Sequence, residues 1–531
     1  MNSLLLLISV VILCCIILNR ISSRLGIPML LVFILLGMFF GSDGLIKIDF
    51  DNYELAEKFA TVALIFIMFY GGFGTNWEEA RSVALPSMLM SSFGVILTTV
   101  FTALFCRFVL NIAFAESLLI GSVIGSTDAA SVFSILRSKR LSLKYHTASL
   151  LELESGSNDP FAYILTLIAI SIMQGEANIN NILFMLYTQI TFGVAAALLI
   201  AFAGKAVLRK LRIETAGFEA ALVMAIALLS FSLPLIIGGN GYLSAYITGI
   251  ILGNSDIRNK RELVHFFDGV TGIMQMLLFF LLGLLAFPSV LPSVARQALL
   301  IAVFITFAAR PLAVFAILTP LRSKLGQKMV VSWAGLRGAA SIAFAVMAMM
   351  RIETKNDIFH IAFFVVLFSI LVQGSLLPLL SKSLNMIDKN FDVMKTFSDY
   401  SGDTPLEFVR IMIEAGHIWC NAKIKDITMP PDTLVAVVER EGKGIAPKGE
   451  TLLCENDVLT LAIKSVQKSE KAFLIEKRVA EDSKMKGKTL AEGMKNKKGL
   501  VVLIIRNKEF IIPRGDTIIF EDDVLVLNHV G

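Results

Sequence analysis

The chain has 531 residues, of which 56% are hydrophobic and only 17% charged, against roughly 25% charged in a soluble protein. The deficit lies in residues 1–380, while 381–531 has ordinary soluble composition, which excludes a single soluble globule and predicts a polytopic membrane domain followed by a cytosolic tail. A net charge of +5 is accounted for by Lys and Arg in membrane-proximal loops and the tail, and is too small to argue for a nucleic-acid polymer as partner.

The N-terminus is apolar from Leu4 with no basic segment before it, and Arg20 and Arg24 follow the run. That order favours a first membrane helix over a cleaved signal peptide. A spanning helix takes about 20 mostly apolar residues. On that measure about thirteen transmembrane helices are predicted, near 2–19, 27–42, 56–74, 84–106, 115–136, 147–173, 183–204, 217–234, 236–253, 266–287, 296–319, 329–350 and 357–380.

Basic residues follow every second span: Arg20 and Arg24, then Arg81, then Arg137, Lys139, Arg140 and Lys144, then Lys205 to Arg212, Arg258 to Arg261, and Arg322 to Lys328. Loops 51–57 and 174–181, on the other side, are poor in base. This alternation predicts an outside N-terminus and a cytoplasmic tail. An odd count suits two six-helix halves of opposite orientation plus one extra helix, the inverted-repeat plan common among secondary transporters. The fifth predicted span is interrupted by G-S-T-D at 125–128, and the twelfth carries G-L-R-G at 335–338, the corresponding position. Such breaks are tolerated in a bilayer only where they are buried in protein or line a cavity, so a discontinuous helix near an ion site is expected.

Carboxylates beside those breaks carry the chemistry. The stretch L-L-E-L-E-S-G-S-N-D-P-F-A-Y at 150–163 sets Glu152, Glu154, Asn158 and Asp159 at the start of a run that stays apolar to Met173. Intramembrane carboxylates face a partner or an aqueous cavity. A carboxylate binds a proton or a cation in mutually exclusive fashion, which couples the two fluxes if the empty site cannot cross. Asp159 is read as that shared group, with Asp128, Thr127 and Ser155 completing the oxygens for a monovalent cation, and Asn158 orienting by hydrogen bonds without adding charge. One titrating carboxylate implies one proton per cation, hence electroneutral exchange. Arg337, the only arginine deep in the twelfth span, needs a partner, and Glu154 is the natural one. Plainer roles stand beside these: Glu152 as solvated interfacial charge, Asp128 as a helix cap, Asp268 and Arg310 as interfacial or structural residues.

Beyond a linker at 386–404, residues 445–461 and 511–527 repeat at an offset of 66, identical at nine of seventeen positions. Two copies of a small α+β module are therefore predicted at 405–467 and 468–531, each with β-branched runs before a P-x-G-x-T turn, and with Asp457 and Asp523 in turns before strands. The modules suit dimerisation or the binding of a small cytosolic ligand; they carry no phosphate loop or nucleophile–base arrangement, and neither an enzyme nor a resident cofactor is expected.

G-S-T-D-A-A-S-V-F at 125–133, L-E-S-G-S-N-D-P at 153–160 and G-L-R-G-A at 335–339 resemble the signature segments of the monovalent cation/proton antiporters of the CPA1 branch, in particular its bacterial NhaP-like members. The resemblance spans residues 1–385 and implies that Asp159 is the shared cation/proton carboxylate, that Thr127, Asp128 and Ser155 line the site, that Glu154 pairs with Arg337, and that the protein is a homodimer in a bacterial inner membrane. It also associates the Asn158–Asp159 pair with electroneutral exchange. The tail resembles paired RCK C-terminal (TrkA-C-like) lobes, as in cell-volume-regulation potassium/proton antiporters, which implies K⁺ ahead of Na⁺ and a nucleotide or cyclic dinucleotide as the class of regulator. A Na⁺(Li⁺)/H⁺ antiporter and a ligand-gated cation channel are the alternatives; the channel would need a carbonyl-lined filter segment that the sequence does not display.

Overall fold

The computed structural model describes residues 9–18, 28–388 apart from 140, 177, 211–215 and 258, and 406–529 apart from 441–442, 446, 465–472, 480–482, 484, 495–499, 507–508 and 512. The predicted linker at 386–404 falls almost wholly outside the described residues, as do the basic positions Arg20, Arg24, Arg140 and Arg258. The chain divides into a helical unit, 1–402, and a tail unit, 403–531.

In the helical unit, α1 (Ser9–Leu18), α2 (Met29–Phe40), α3 (Tyr53–Gly74) and α4 (Arg81–Phe108) lead to α5 (Phe114–Val123) and α6 (Ala129–Ser138), the two pieces of one interrupted helix. Then come α7 (Thr147–Met173), α8 (Ile179–Lys210), α9 (Ala216–Ile236), α10 (Gly241–Gly253), α11 (Lys260–Leu284) and α12 (Leu291–Leu318). A second interrupted helix is formed by α13 (Leu325–Trp333) and α14 (Ala339–Arg351), and α15 (Ile358–Ser383) closes the unit. Among the described residues seven helices are long and apolar enough to cross a membrane, and the pieces of the interrupted helices are among the shorter ones.

Local chemistry starts several of these helices. The side chains of Asn52, Asn240 and Asp357 accept from the backbone N–H groups of Leu55, Leu243 and His360 and cap α3, α10 and α15. Packing then uses small residues: Gly72 on α3 lies on the backbone of Tyr246, and Gly249 on α10 lies on the backbone of Phe69, so that a methyl group at either would collide with main chain. Three of the helices around the interrupted pair contain one π turn each, Met90–Gly94, Ile305–Ala309 and Ser369–Gln373. A π turn inserts a residue and re-aims the side chains that follow; here Arg310 follows directly on one and Ser369 opens another.

The tail unit contains two four-stranded antiparallel sheets of the same plan. The first has order β1-β4-β2-β3, with β1 Leu406–Met412, β2 Thr433–Arg440, β3 Lys443–Ile445 and β4 Val458–Lys464. The second has order β5-β8-β6-β7, with β5 Phe473–Arg478, β6 Leu500–Arg506, β7 Glu509–Ile511 and β8 Val524–His529. Even the irregularity repeats, since the register shifts between Val435 and Val437 in one sheet and between Val501 and Leu503 in the other. Asp457 and Asp523 each accept a two-pronged hydrogen bond, from Arg440 and Arg506 respectively, together with a backbone N–H of the turn. The clasp ties the last residue of one central strand to the turn before its neighbour.

Candidate ion-binding site

The two interrupted helices meet at their breaks. The Asp128 N–H donates to the Leu336 carbonyl at 2.7 Å, joining segment 124–128 to segment 334–338. A helix end leaves carbonyls or N–H groups unpaired, and this crossing gathers both kinds. The carbonyls of Gly125 and Ser126, just past the C-terminus of α5, accept from Arg337 Nη1 at 2.8 and 2.6 Å. Arg337 is itself fixed by its backbone N–H, which donates to Ser369 Oγ at 3.0 Å, while Ser369 donates to Gln373 at 2.5 Å. A cation at the carbonyl ends and a carboxylate, Asp128, before the N-terminus of α6 complement the two dipole ends. Asp128 Oδ2 also accepts from Ser131 Oγ at 2.6 Å, so capping and lining of the site coexist in one residue.

Helix α7 runs alongside. Asn158 donates to Thr127 Oγ1 at 2.5 Å and to the Thr127 carbonyl at 3.3 Å, and Ser155 Oγ donates to the same carbonyl at 2.7 Å. Asn158 is completely buried and Asp159 nearly so, and Asp159 Oδ1 has no hydrogen-bond partner among the described residues. Pro160 supplies no N–H to the carbonyl of Gly156 one turn earlier, so a polar main-chain group is released beside Asp159. A cavity of about 520 Å³ is lined by Thr127, Asp128, Ser155, Gly156 and Asp159. Glu152 lies on its wall as well, partly buried rather than simply solvated.

The lining comes from the start of α2, the C-terminal half of α3, the N-terminal half of α7, the middle of α11, and the two breaks with the residues that follow them. The ends of α3 and α7 adjoin the loops that lead into Arg81 and that carry Lys144. Toward the other ends, Tyr163, one turn beyond Asp159 on α7, meets Tyr242 with ring centroids 5.1 Å apart, and both meet Phe344. These three rings are buried and stand on the side of Asp159 away from those loops.

One residue-level expectation is overturned. Glu154 is paired with Arg310 on α12, Oε1 to Nη2 at 2.6 Å, with both side chains almost fully buried. Arg337 instead donates from Nη1 to the break carbonyls, which the crossing of the two breaks sets beside it. Arg310, expected to be interfacial or structural, is 2% exposed and central to this charge cluster. Its signal in the sequence was the same as that of Arg337, a lone arginine in a long apolar run. Of the supporting hydroxyls, Ser126 and Ser131 lie in the segment G-S-T-D-A-A-S-V-F, whereas Ser341, whose Oγ is 3.3 Å from that of Ser126, and Ser369 carry no such signal, since serine is common in membrane helices.

Comparison with known proteins follows the same division of the chain. The model of the sodium/hydrogen exchanger transmembrane family matches residues 9–383, and that of the TrkA-C domain matches residues 474–527. The chain is 34% identical over 456 residues to a protein named K(+)/H(+) antiporter NhaP2 from Shewanella sp. (strain ANA-3), covering 84% of this chain and 78% of that protein. It is 31% identical over 451 residues to the K(+)/H(+) antiporter NhaP of Alkalimonas amylolytica, covering 83% and 78%. The structure of the sodium proton antiporter MjNhaP1 from Methanocaldococcus jannaschii at pH 8 has a similar fold, with TM-score 0.62 at 24% identity over 70% of this chain and 99% of that one.

Proposed function

The chain belongs to the sodium/hydrogen exchanger family, and on that premise we propose that it exchanges K⁺ for H⁺, one for one, at Asp159. The observation that carries this reading is the buried Asp159 carboxylate, with one oxygen unpartnered, set in a cavity with a neutral Asn158 beside it. The protonated acid and the cation-bound carboxylate are both neutral, whereas the empty carboxylate leaves an uncompensated charge in a low-dielectric interior, at a cost of several kcal/mol. Only the two loaded forms cross, and each crossing returns the other ion. The other charges of the cluster, on Asp128, Glu154, Arg310 and Arg337, keep their partners throughout the cycle and add nothing to the charge moved.

Thr127, Asp128 and Ser155 are the companions proposed for the cation. K⁺ is placed first because the curated relatives at 34% and 31% identity are named K(+)/H(+) antiporters. The rings of Tyr163, Tyr242 and Phe344 would close the site on one side while the cavity opens it on the other, as alternating access requires. The basic loops support a bacterial inner-membrane orientation with the N-terminus outside and the tail in the cytoplasm. A homodimer is proposed as the working unit. For the tail, the proposed role is regulation through a small cytosolic ligand bound by residues 405–531, with nucleotides and cyclic dinucleotides as the classes to test. Proton release from proteoliposomes pulsed with K⁺, Na⁺ or Li⁺ tests the reading: K⁺ gives the largest response and Asp159→Asn gives none. A response to Na⁺ or Li⁺ alone would keep Asp159 and replace the cation.

A further inference from the structure

We propose a second monovalent-cation site in the same cavity, on the wall formed by α3 and α11, that collects the cation before Asp159 takes it. Asp268, Thr271 and Gln275 stand at i, i+3 and i+7 of α11, hence on one face, and all three line the cavity. From α3, Tyr70 donates its hydroxyl to Asp268 Oδ1 at 3.2 Å. Together they offer carboxylate, hydroxyl and amide oxygens, the donor set that hard cations take. None of the described residues lining the cavity is Lys, Arg or His, while Glu152, Asp128 and Asp159 line it with Asp268. The potential inside therefore favours a cation.

An acidic wall alone would not make a site. Thr271 adds an independent observation: it is 7% exposed, it lines the cavity, and its hydroxyl oxygen has no hydrogen-bond partner among the described residues. A buried hydroxyl left unpaired is costly, and a cation held beside Asp268 gives its oxygen a partner. Asp268 and Tyr70 belong to α11 and α3, which pack on each other and with α2 and α10, whereas Asp159 and Ser155 belong to α7. The second site is thus built on a different group of helices from the first. It acts from the open side of the cavity only.

The transfer to Asp159 rests on the exchange reading, whereas the binding itself does not. Binding of ⁸⁶Rb⁺ to the purified full-length protein separates the two. Asp159→Asn, which removes the first site, retains saturable Rb⁺ binding, and adding Asp268→Asn abolishes it. Asp268→Asn keeps the acceptor for Tyr70 and removes only the charge, and Asp268→Glu in the Asp159→Asn background restores binding, which separates loss of a ligand from misfolding. In exchange assays Asp268→Asn raises the apparent KM for K⁺ about tenfold on the cavity side, the loss of one charge-assisted contact, with kcat unchanged and no effect on KM from the other side. Absence of Rb⁺ binding in Asp159→Asn, or binding that survives the double substitution, would overturn the second site even if exchange is normal.

Discussion

Glu154 Oε1 lies 2.6 Å from Arg310 Nη2, an ion pair between α7 and α12 with 1% and 3% of the two side chains exposed. Removing one partner strands the other charge in the protein interior, at a cost of about 3–5 kcal/mol. Arg310→Met therefore lowers the thermal stability of the detergent-solubilised protein, and Glu154→Gln in the same chain restores much of it. A double-mutant cycle on Glu154 and Arg310 gives a large coupling, and the same cycle on Glu154 and Arg337 gives a smaller one. Equal couplings would show that Glu154 is shared between the two arginines.

Arg337 is hydrogen-bonded to the break carbonyls rather than to Glu154. Its Nη1 holds the carbonyls of Gly125 and Ser126, the two residues before Thr127. Arg337→Ala releases both carbonyls, so it lowers K⁺ affinity as well as stability, each buried charged hydrogen bond being worth about 1.5–3 kcal/mol. An affinity unchanged in a correctly inserted Arg337→Ala protein would sever that link.

Gly338 tests how tightly the breaks cross. A methyl group there would stand 2.5 Å from Asp128 Cβ and 2.8 Å from Asp128 Oδ2. Gly338→Ala forces the two breaks apart or turns Asp128 away, an overpacking cost of about 1–3 kcal/mol. Exchange falls at least tenfold while insertion persists. Wild-type exchange in this variant would show that the crossing has slack.

The legibility of the sequence follows the range of each interaction. The interruptions at 125–128 and 335–338 are local, since glycine and polar residues in an apolar run announce themselves, and the structure places both between helix pieces. Thr127, Asp128, Ser155 and Asp159 could be nominated because they lie in those breaks or in the polar start of α7, and the structure lines one cavity with all four. The partner of Glu154 could not be read in that way. Arg310 lies on α12 and Arg337 in the break between α13 and α14, both distant in sequence, and the choice depends on how α12 runs on from its π turn. Asp268 has the same limit: that it lines the cavity and meets Tyr70 depends on the packing of α3 against α11.

The tail clasps give a pH dependence with a defined sign. The hydrogen bonds from Arg440 hold the Asp457 carboxyl below its ordinary value. At Asp523 burial works against the charge, and the hydrogen bonds from Arg506 and the Phe520 N–H outweigh it, so this carboxyl is lowered too. A lowered carboxyl contributes stability above the unfolded value of about 4 and loses it as pH falls through the folded value. The sheets are therefore stable at neutral pH and loosen below about pH 4. Because Arg440 is 37% exposed, solvent reduces the contribution of its clasp, and Arg440→Ala costs about 2 kcal/mol. Hydrogen exchange of β2 and β4 in the full-length protein reads both effects, and protection unchanged at pH 3 would remove the clasps as stabilising elements.

The central claim is that a single carboxylate carries either a proton or a cation, and its most direct test is the charge moved per cycle. K⁺-driven proton flux in proteoliposomes, measured at several imposed membrane potentials, is predicted to be independent of potential in the wild type and absent in Asp159→Asn. A flux that scales with potential, or one that persists without Asp159, would contradict it.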